Sequence, residues 1–290
     1  MLDARKITKG EKHRELLPFG VRATMDEIIE EPLDCLSDVL GTLGDFGKEV
    51  ILEAKEYFDF NAKDRVFLLE EGEILIMTPP DPDSGRSRRY VLKAGEPYGA
   101  LEAIASRVAV YDCTAQSRAK LRVFDGAEMR SHANTCGVFA RTILRLFFKR
   151  VFDSIDPEKD KKASIAFEDD FIYANRDDLR NMEVSSETLI FKAKAPADKM
   201  YFIEKGVVSL ISESNRVIAE LGTGEIFGEA VLLGDTFRPF AAMVERDADI
   251  WAIEASFARR ELQQEHPWAQ LAVLLGILQY RVSNQLKGLC

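Results

Sequence analysis

Residues 204–242 read EKGVVSLISESNRVIAELGTGEIFGEAVLLGDTFRPFAA, and they repeat an earlier stretch of the same chain. Gly206 in EKGVVSLI answers Gly72 in EEGEILIM, 134 residues before it. Asp198 in ADKMYFI answers Asp64 in AKDRVFLL at the same offset of 134. Gly224-Glu225-Ile226-Phe227-Gly228 answers Gly95-Glu96-Pro97-Tyr98-Gly99, but at an offset of 129. The loss of five falls across the Pro-, Asp- and Ser-rich segment TPPDPDSGRS at 78–87, which reads as a longer hairpin loop in the first copy. Two tandem copies of one β-rich domain follow from this self-similarity.

The surrounding patterns agree. Short runs of β-type residues at Val50–Leu52, Arg65–Leu69, Ile74–Met77, Arg89–Leu92, Val108–Thr114 and Leu121–Phe124 predict the strands of the first copy. Thr188–Phe191, Met200–Ile203, Val207–Ile211, Val217–Leu221, Ala241–Val244 and Ile250–Ile253 predict those of the second. Val138–Phe152 is helical, with an apolar surface wide enough to meet more than one neighbour. A last helix begins near His266-Pro267, and its Trp268, Leu271, Leu275, Leu278 and Val282 form a short a/d seam. A capping box at Thr24–Glu27 starts two short helices that run to Leu43. The expected organisation is an N-terminal arm over 1–20, a first domain over 21–152, a charged linker over 153–163 and a second domain over 164–290.

Composition narrows the function. Hydrophobic residues make up 46% and charged residues 30%, a globular mixture, and the formal net charge is −10. That balance argues against a nucleic-acid surface and against a polybasic membrane binder, so neither DNA nor membrane is an expected partner. The N-terminus has no apolar signal core, and no apolar run reaches the length of a membrane span, so a cytoplasmic protein is expected. Cys35, Cys113, Cys136 and Cys290 are far apart and form no CxxC pair. His13, His132 and His266 are scattered, which excludes the clustered ligands of a metal-binding β-roll enzyme. No nucleophile elbow, Walker loop or dinucleotide fingerprint is present, and the acidic pairs at 169–170 and 177–178 read as a solvated face. No enzyme is expected, and no metal or resident cofactor.

The order of elements around Phe227-Gly228-Glu229-Ala230, followed by Arg238 and then Ala241, Ala242 and Met243, resembles the cyclic nucleotide-binding domain. The resemblance covers about 165–285 closely and 45–150 more weakly. It implies two tandem β-rolls with flanking helices, a double-stranded β-helix or jelly-roll-like fold, each roll with a short phosphate-binding cassette. It gives Glu229 the ribose and Arg238 the phosphate of cAMP or cGMP. The backbone around Phe227, Gly228, Ala230, Ala241, Ala242 and Met243 then lines the site. The chemistry is apt: an arginine gives charge-assisted hydrogen bonds to a phosphodiester, and a carboxylate accepts from a 2′-hydroxyl. Three departures are visible: Pro239-Phe240 intervenes before the alanine pair, Met243 stands where many members have threonine, and Lys194 stands where a glycine commonly turns the chain. In the first copy Ala100 and Ala109 replace the glutamate and arginine, which implies a domain without nucleotide; Glu102 and Arg107 are the nearby polar residues.

Without the resemblance, Glu229 caps a short helix and Arg238 forms a surface ion pair. Two functions therefore stay open. One is a regulator that senses a cyclic nucleotide through its second domain and signals to a protein partner. The other is a ligand-free adaptor that uses both folds as docking platforms. An arginine-rich inhibitor segment like that of kinase regulatory subunits has only Arg5-Lys6-Ile7-Thr8 as a counterpart, better read as a charged tail. About twenty residues of final helix leave no room for a DNA-binding helix-turn-helix. The seam of that helix packs on its own domain, on helix 138–152, or across a homodimer, the last being the favoured arrangement.

Overall fold

The computed structural model describes residues 35–44, 47–59, 64–80, 85–108, 111–152, 157–234 and 237–287. The arm over 1–20, the capping box at Thr24, the centre of the 78–87 loop, Ala109 and Cys290 lie outside the described residues.

Helix α1 (Cys35–Leu43) leads into strands β1 (Lys48–Leu52), β2 (Arg65–Glu71), β3 (Ile74–Met77), β4 (Arg89–Leu92) and β5 (Pro97–Tyr98). The short helix α2 (Ala100–Ile104) follows, then β6 (Asp112–Ala115), β7 (Ala119–Asp125), α3 (Gly126–Thr135) and α4 (Val138–Phe152). Helix α5 (Pro157–Phe167) starts the second half and continues through a π-helical turn, Glu168–Ile172, and a 3₁₀ turn, Tyr173–Asn175. Strands β8 (Arg180–Val184), β9 (Leu189–Phe191), β10 (Lys199–Ile211), β11 (Val217–Leu221) and β12 (Ile226–Phe227) come next. A 3₁₀ turn at Glu229–Leu233, strand β13 (Ala241–Glu254) and helices α6 (Ala255–Gln263) and α7 (Pro267–Leu286) complete the chain.

The fold is two tandem β-rolls with flanking helices, and the repeat holds down to single hydrogen bonds. Phe67 pairs with Tyr98 where β2 meets β5, and Tyr201 pairs with Phe227 where β10 meets β12. Gly95 N donates to Leu69 O at 2.8 Å, and Gly224 N to Ile203 O at 2.7 Å. Lys93 N donates to the Glu96 carboxylate at 2.8 Å, and Gly222 N to that of Glu225 at 2.7 Å. The sheets differ in one respect. The first roll splits into β1-β7-β2-β5 and β4-β3-β6, whereas in the second β10 spans the equivalents of both β2 and β3, and β13 those of β6 and β7. The two runs expected at 200–203 and 207–211 are therefore one strand, carried across a bulge near Lys205. Gly206 makes this passage with φ of 104°, and a side chain there would strike the backbone of Asp247 and Ala248.

Several elements depart from the sequence reading, among them helices α3 and α6, which it did not include. Strand β8 was not expected. Of the charged segment expected as a linker over 153–163, the described part, from Pro157, is the start of helix α5. Most of the C-terminal helix's seam is covered within its own chain. Trp268, Leu271, Leu275 and Val282 are buried within the chain, and α7 packs on α1, α2, α3 and α4 of the first half. The packing of the seam within the chain includes helix 138–152. Pro267 opens α7, and the His266 ring accepts from Trp268 N as its cap. The helix is apolar on several sides because several sides are covered. Val282 and Leu286 enter the core of the first roll beside Phe67, Ile74 and Tyr98.

Leu275, in the core that α7 shares with α4 and the second cassette, has 0% exposure. Leu275→Ala is expected to cost about 2–5 kcal/mol, measured as a lowered denaturant midpoint. A loss below about 0.5 kcal/mol, the scale of an ordinary surface change, would show that α7 is not a core element.

Candidate functional site

A cavity of about 530 Å³ lies between the second roll and α7. Gly228, Glu229, Ala230 and Arg238 line it, as do Pro239 and Phe240. Its walls are largely apolar, with Phe191, Leu210, Ile218, Phe237 and Ile277 among them. Tyr280 and Arg281 of α7 and Arg150 of α4 close the far side. The remaining sequence-predicted residues are placed elsewhere. Phe227 is a core residue, stacked on Tyr201 with ring centroids 4.9 Å apart. Ala241, Ala242 and Met243 form the start of β13, paired with Ile211, Leu210 and Ser209, and do not line the cavity.

The polar groups are set by backbone geometry. Gly228 has φ of 80° and turns the chain from β12 into the 3₁₀ turn. A Cβ there would sit 2.8 Å from Arg238 Nη1 and 3.1 Å from Lys199 O, so the turn needs glycine twice over. The main chain of Arg238 is pinned on both sides: its N–H donates to Ala195 O and its carbonyl accepts from Lys194 N, each at 2.9 Å. Lys194 adopts φ of 63°, the left-handed conformation that a glycine takes more readily.

Arg238 is not a surface residue. It is only 3% exposed, and its guanidinium lies 4.2 Å from the centroid of Phe191 and 5.5 Å from that of Tyr201. Nη2 stands 3.5 Å from Asp198 Oδ1, yet Nε and Nη2 make no hydrogen bond. Burial lowers the pKa of this guanidinium, with the charges of Tyr201 and Asp198 opposing the shift. Burial works against the Asp198 carboxylate too, but the Lys199 ammonium at 2.8 Å holds its pKa below the usual range. Two buried, unsatisfied donors on one charged group are costly unless something accepts from them.

Glu229 caps no helix: the residue ahead of the turn is Gly228, and no side-chain cap is made. Its Oε1 accepts from Arg150 Nη1 at 2.9 Å, and Arg150 Nη2 donates to Ile226 O at 2.7 Å. Both side chains are about nine-tenths buried. Arg150 belongs to the last turn of α4, so a side chain of the first half supports the cassette of the second. Sequence reasoning missed Arg150 and Tyr280, which lie far from the motif and carry no local signature.

The first cassette has the same frame and a different content. Gly99 has φ of 83° ahead of α2. Ala100 brings no polar group, and Glu102 turns to α7, where its Oε2 accepts from Gln279 Nε2 at 2.5 Å. Leu101 N donates to Gln279 Oε1 at 3.0 Å. Burial pushes the pKa of Glu102 up, against the lowering effect of Gln279. Arg107 lies over the Phe152 ring at 4.6 Å.

Residues 182–265 match the model of the cyclic nucleotide-binding domain, so the second roll carries a domain of that family. No match is found among curated proteins. Among solved structures, cAMP-bound PfPKA-R is 15% identical, with 89% of this chain and 92% of that one covered and a TM-score of 0.33. The regulatory domain of Toxoplasma gondii PKA with cAMP is 16% identical, at 87% and 89% coverage and a TM-score of 0.31. The guanosine-bound regulatory subunit of a cAMP-independent protein kinase A from Trypanosoma cruzi is 14% identical, at 81% and 86% coverage and a TM-score of 0.33.

Gly228→Ala is expected to lower stability by about 1–2 kcal/mol through its left-handed backbone alone. Thermal unfolding checks this; an unchanged melting temperature would refute the strained turn.

Proposed function

We propose that the second roll binds a cyclic nucleotide of the cAMP or cGMP type in the cavity above Gly228. The observation that carries this reading is Arg238, buried and lining the cavity, with Nε unsatisfied and Nη2 held only by the Asp198 carboxylate at 3.5 Å. A cyclic phosphodiester brings one negative charge and oxygens that accept from such a fork. The cavity lining holds four arginines (150, 216, 238 and 281) against two glutamates (213 and 229), an excess that favours an anion. A volume of about 530 Å³ lies within the usual range for a small-molecule site. Glu229 takes the ribose hydroxyl, and the apolar walls take the base.

On this reading the protein acts as a regulator. Among the described residues no group of three or more His, Cys, Asp or Glu side chains is placed to hold a metal ion. Among them, too, no helix is long and apolar enough to cross a membrane. Occupancy of the second domain (164–290) is passed to a protein partner in the cytoplasm, while the first (21–152) serves as a scaffold without nucleotide.

Calorimetric titration with cAMP, cGMP and cyclic dinucleotides tests the reading. Arg238→Ala is expected to weaken binding by about 10- to 150-fold, the equivalent of a charge-assisted hydrogen bond of about 1.5–3 kcal/mol. Glu229→Ala is expected to weaken it less and to erode the preference for ribose over 2′-deoxyribose. Absence of any saturable heat in the wild-type chain would leave the ligand-free adaptor as the function.

A further inference from the structure

Helices α4 and α7 are equivalent members of the repeat, and each reaches into the cassette of the other half. Arg150 of α4 and Gln279 of α7 stand 129 residues apart, the offset that relates the two cassettes. Gln279 holds Glu102 and the Leu101 N–H of the first cassette, and Arg150 holds Glu229 and the Ile226 carbonyl of the second. The exchange is symmetric in position and asymmetric in chemistry. The first cassette receives a neutral carboxamide, and the second receives a guanidinium whose fork fixes a side chain and a main-chain atom at once.

From this geometry we infer that Arg150 is a specificity-determining positioning residue of the second site, acting through Glu229. This rests on the cyclic-nucleotide reading and goes beyond it, because the residue belongs to the other half of the repeat. A free glutamate on a short 3₁₀ turn would sample several rotamers. Arg150 engages only Oε1, at 2.9 Å, and is itself tied to Ile226 O at 2.7 Å, one residue before Phe227 of the same cassette. The carboxylate is thus held against the strand that leads into the turn. Oε2 remains the acceptor for a 2′-hydroxyl. Selection for the ribose hydroxyl therefore depends on a residue 79 positions away in the sequence.

The test is titration of the full chain with cAMP and with 2′-deoxy-cAMP, for wild type, Arg150→Ala, Arg150→Lys, Glu229→Ala and the double variant Arg150→Ala/Glu229→Ala. Wild type is expected to prefer the ribonucleotide by about tenfold or more. Arg150→Ala is expected to collapse that ratio to the level of Glu229→Ala, and the double variant to lose nothing further in the ratio. Arg150→Lys keeps the charge without the fork and is expected to fall between. It also serves where the alanine variant fails to melt cooperatively. The ratio, unlike affinity, does not move when a substitution only loosens the fold. A wild-type ratio retained in folded Arg150→Ala or Arg150→Lys, with Glu229→Ala impaired, overturns this inference alone. A wild-type chain that binds no cyclic nucleotide overturns the site reading and this inference with it.

Discussion

Helix α7 is covered on nearly every side, and the arrangement of the two rolls depends on that burial. Trp268, Leu271, Leu274, Leu275 and Ile277 belong to one continuous core that also holds Leu101, Leu144 and Phe147 of the first half and Val231 and Leu232 of the second cassette. Farther along, Val282 and Leu286 leave that core for the interior of the first roll. A helix with this composition has no stable alternative in water, since its apolar sides must all find cover. At Gly276 a side chain would come within 3.3 Å of both Leu101 and Phe147, so α7 approaches α2 and α4 closely. The two halves are consequently joined by a shared core rather than by a surface contact.

That shared helix explains the difference between the two cassettes. In the first roll the interior is filled by the chain itself, through Val282 and Leu286, and the cassette N–H of Leu101 is satisfied by Gln279. A glutamate at Ala100, which is fully buried, would bring a charge into this neighbourhood at a desolvation cost. In the second roll α7 presents a different side, with Ile277, Tyr280 and Arg281, and stands off far enough to leave a cavity. One helix therefore closes one roll and roofs the other.

Much of this was legible in the sequence, and the limits have physical causes. The glycines at 72, 95, 99, 206, 224 and 228 all take positive φ, so a backbone requirement wrote itself directly into residue identity. Helix 138–152 and the start of α7 at Pro267 were visible because long apolar periodicity and an N-terminal proline are local signals. Helix α3 was not, since GAEMRSHANT is largely polar and is held by the Asp125 cap and by Arg130 bonding to Ala103 O. Helix α5 was hidden in the same way by its charged first turns. In the site, the left-handed turn and the spacing to Arg238 were readable, as was the awkward Lys194. The Arg150–Glu229 pair and the packing of α7 were not, because both arise from how two distant segments dock and leave no periodicity behind.

The same docking carries an energetic consequence for any ligand in the cavity. A molecule that touches Ile277 or Tyr280 touches the helix whose next turns hold Gln279 against the first cassette and Val282 in the first roll. Any difference between its affinity for the docked helix and for an undocked one is a coupling free energy. Linkage makes the coupling reciprocal: whatever steadies α7 in the first roll tightens the second site, and whatever loosens it weakens the site by the same factor. The first roll, whose cassette has Ala100 where the second has Glu229, reaches the cavity through Arg150 of α4 and touches the far face of α7. On the cyclic-nucleotide reading, the first copy thus bears on the affinity of the second without contributing a single atom from its own cassette.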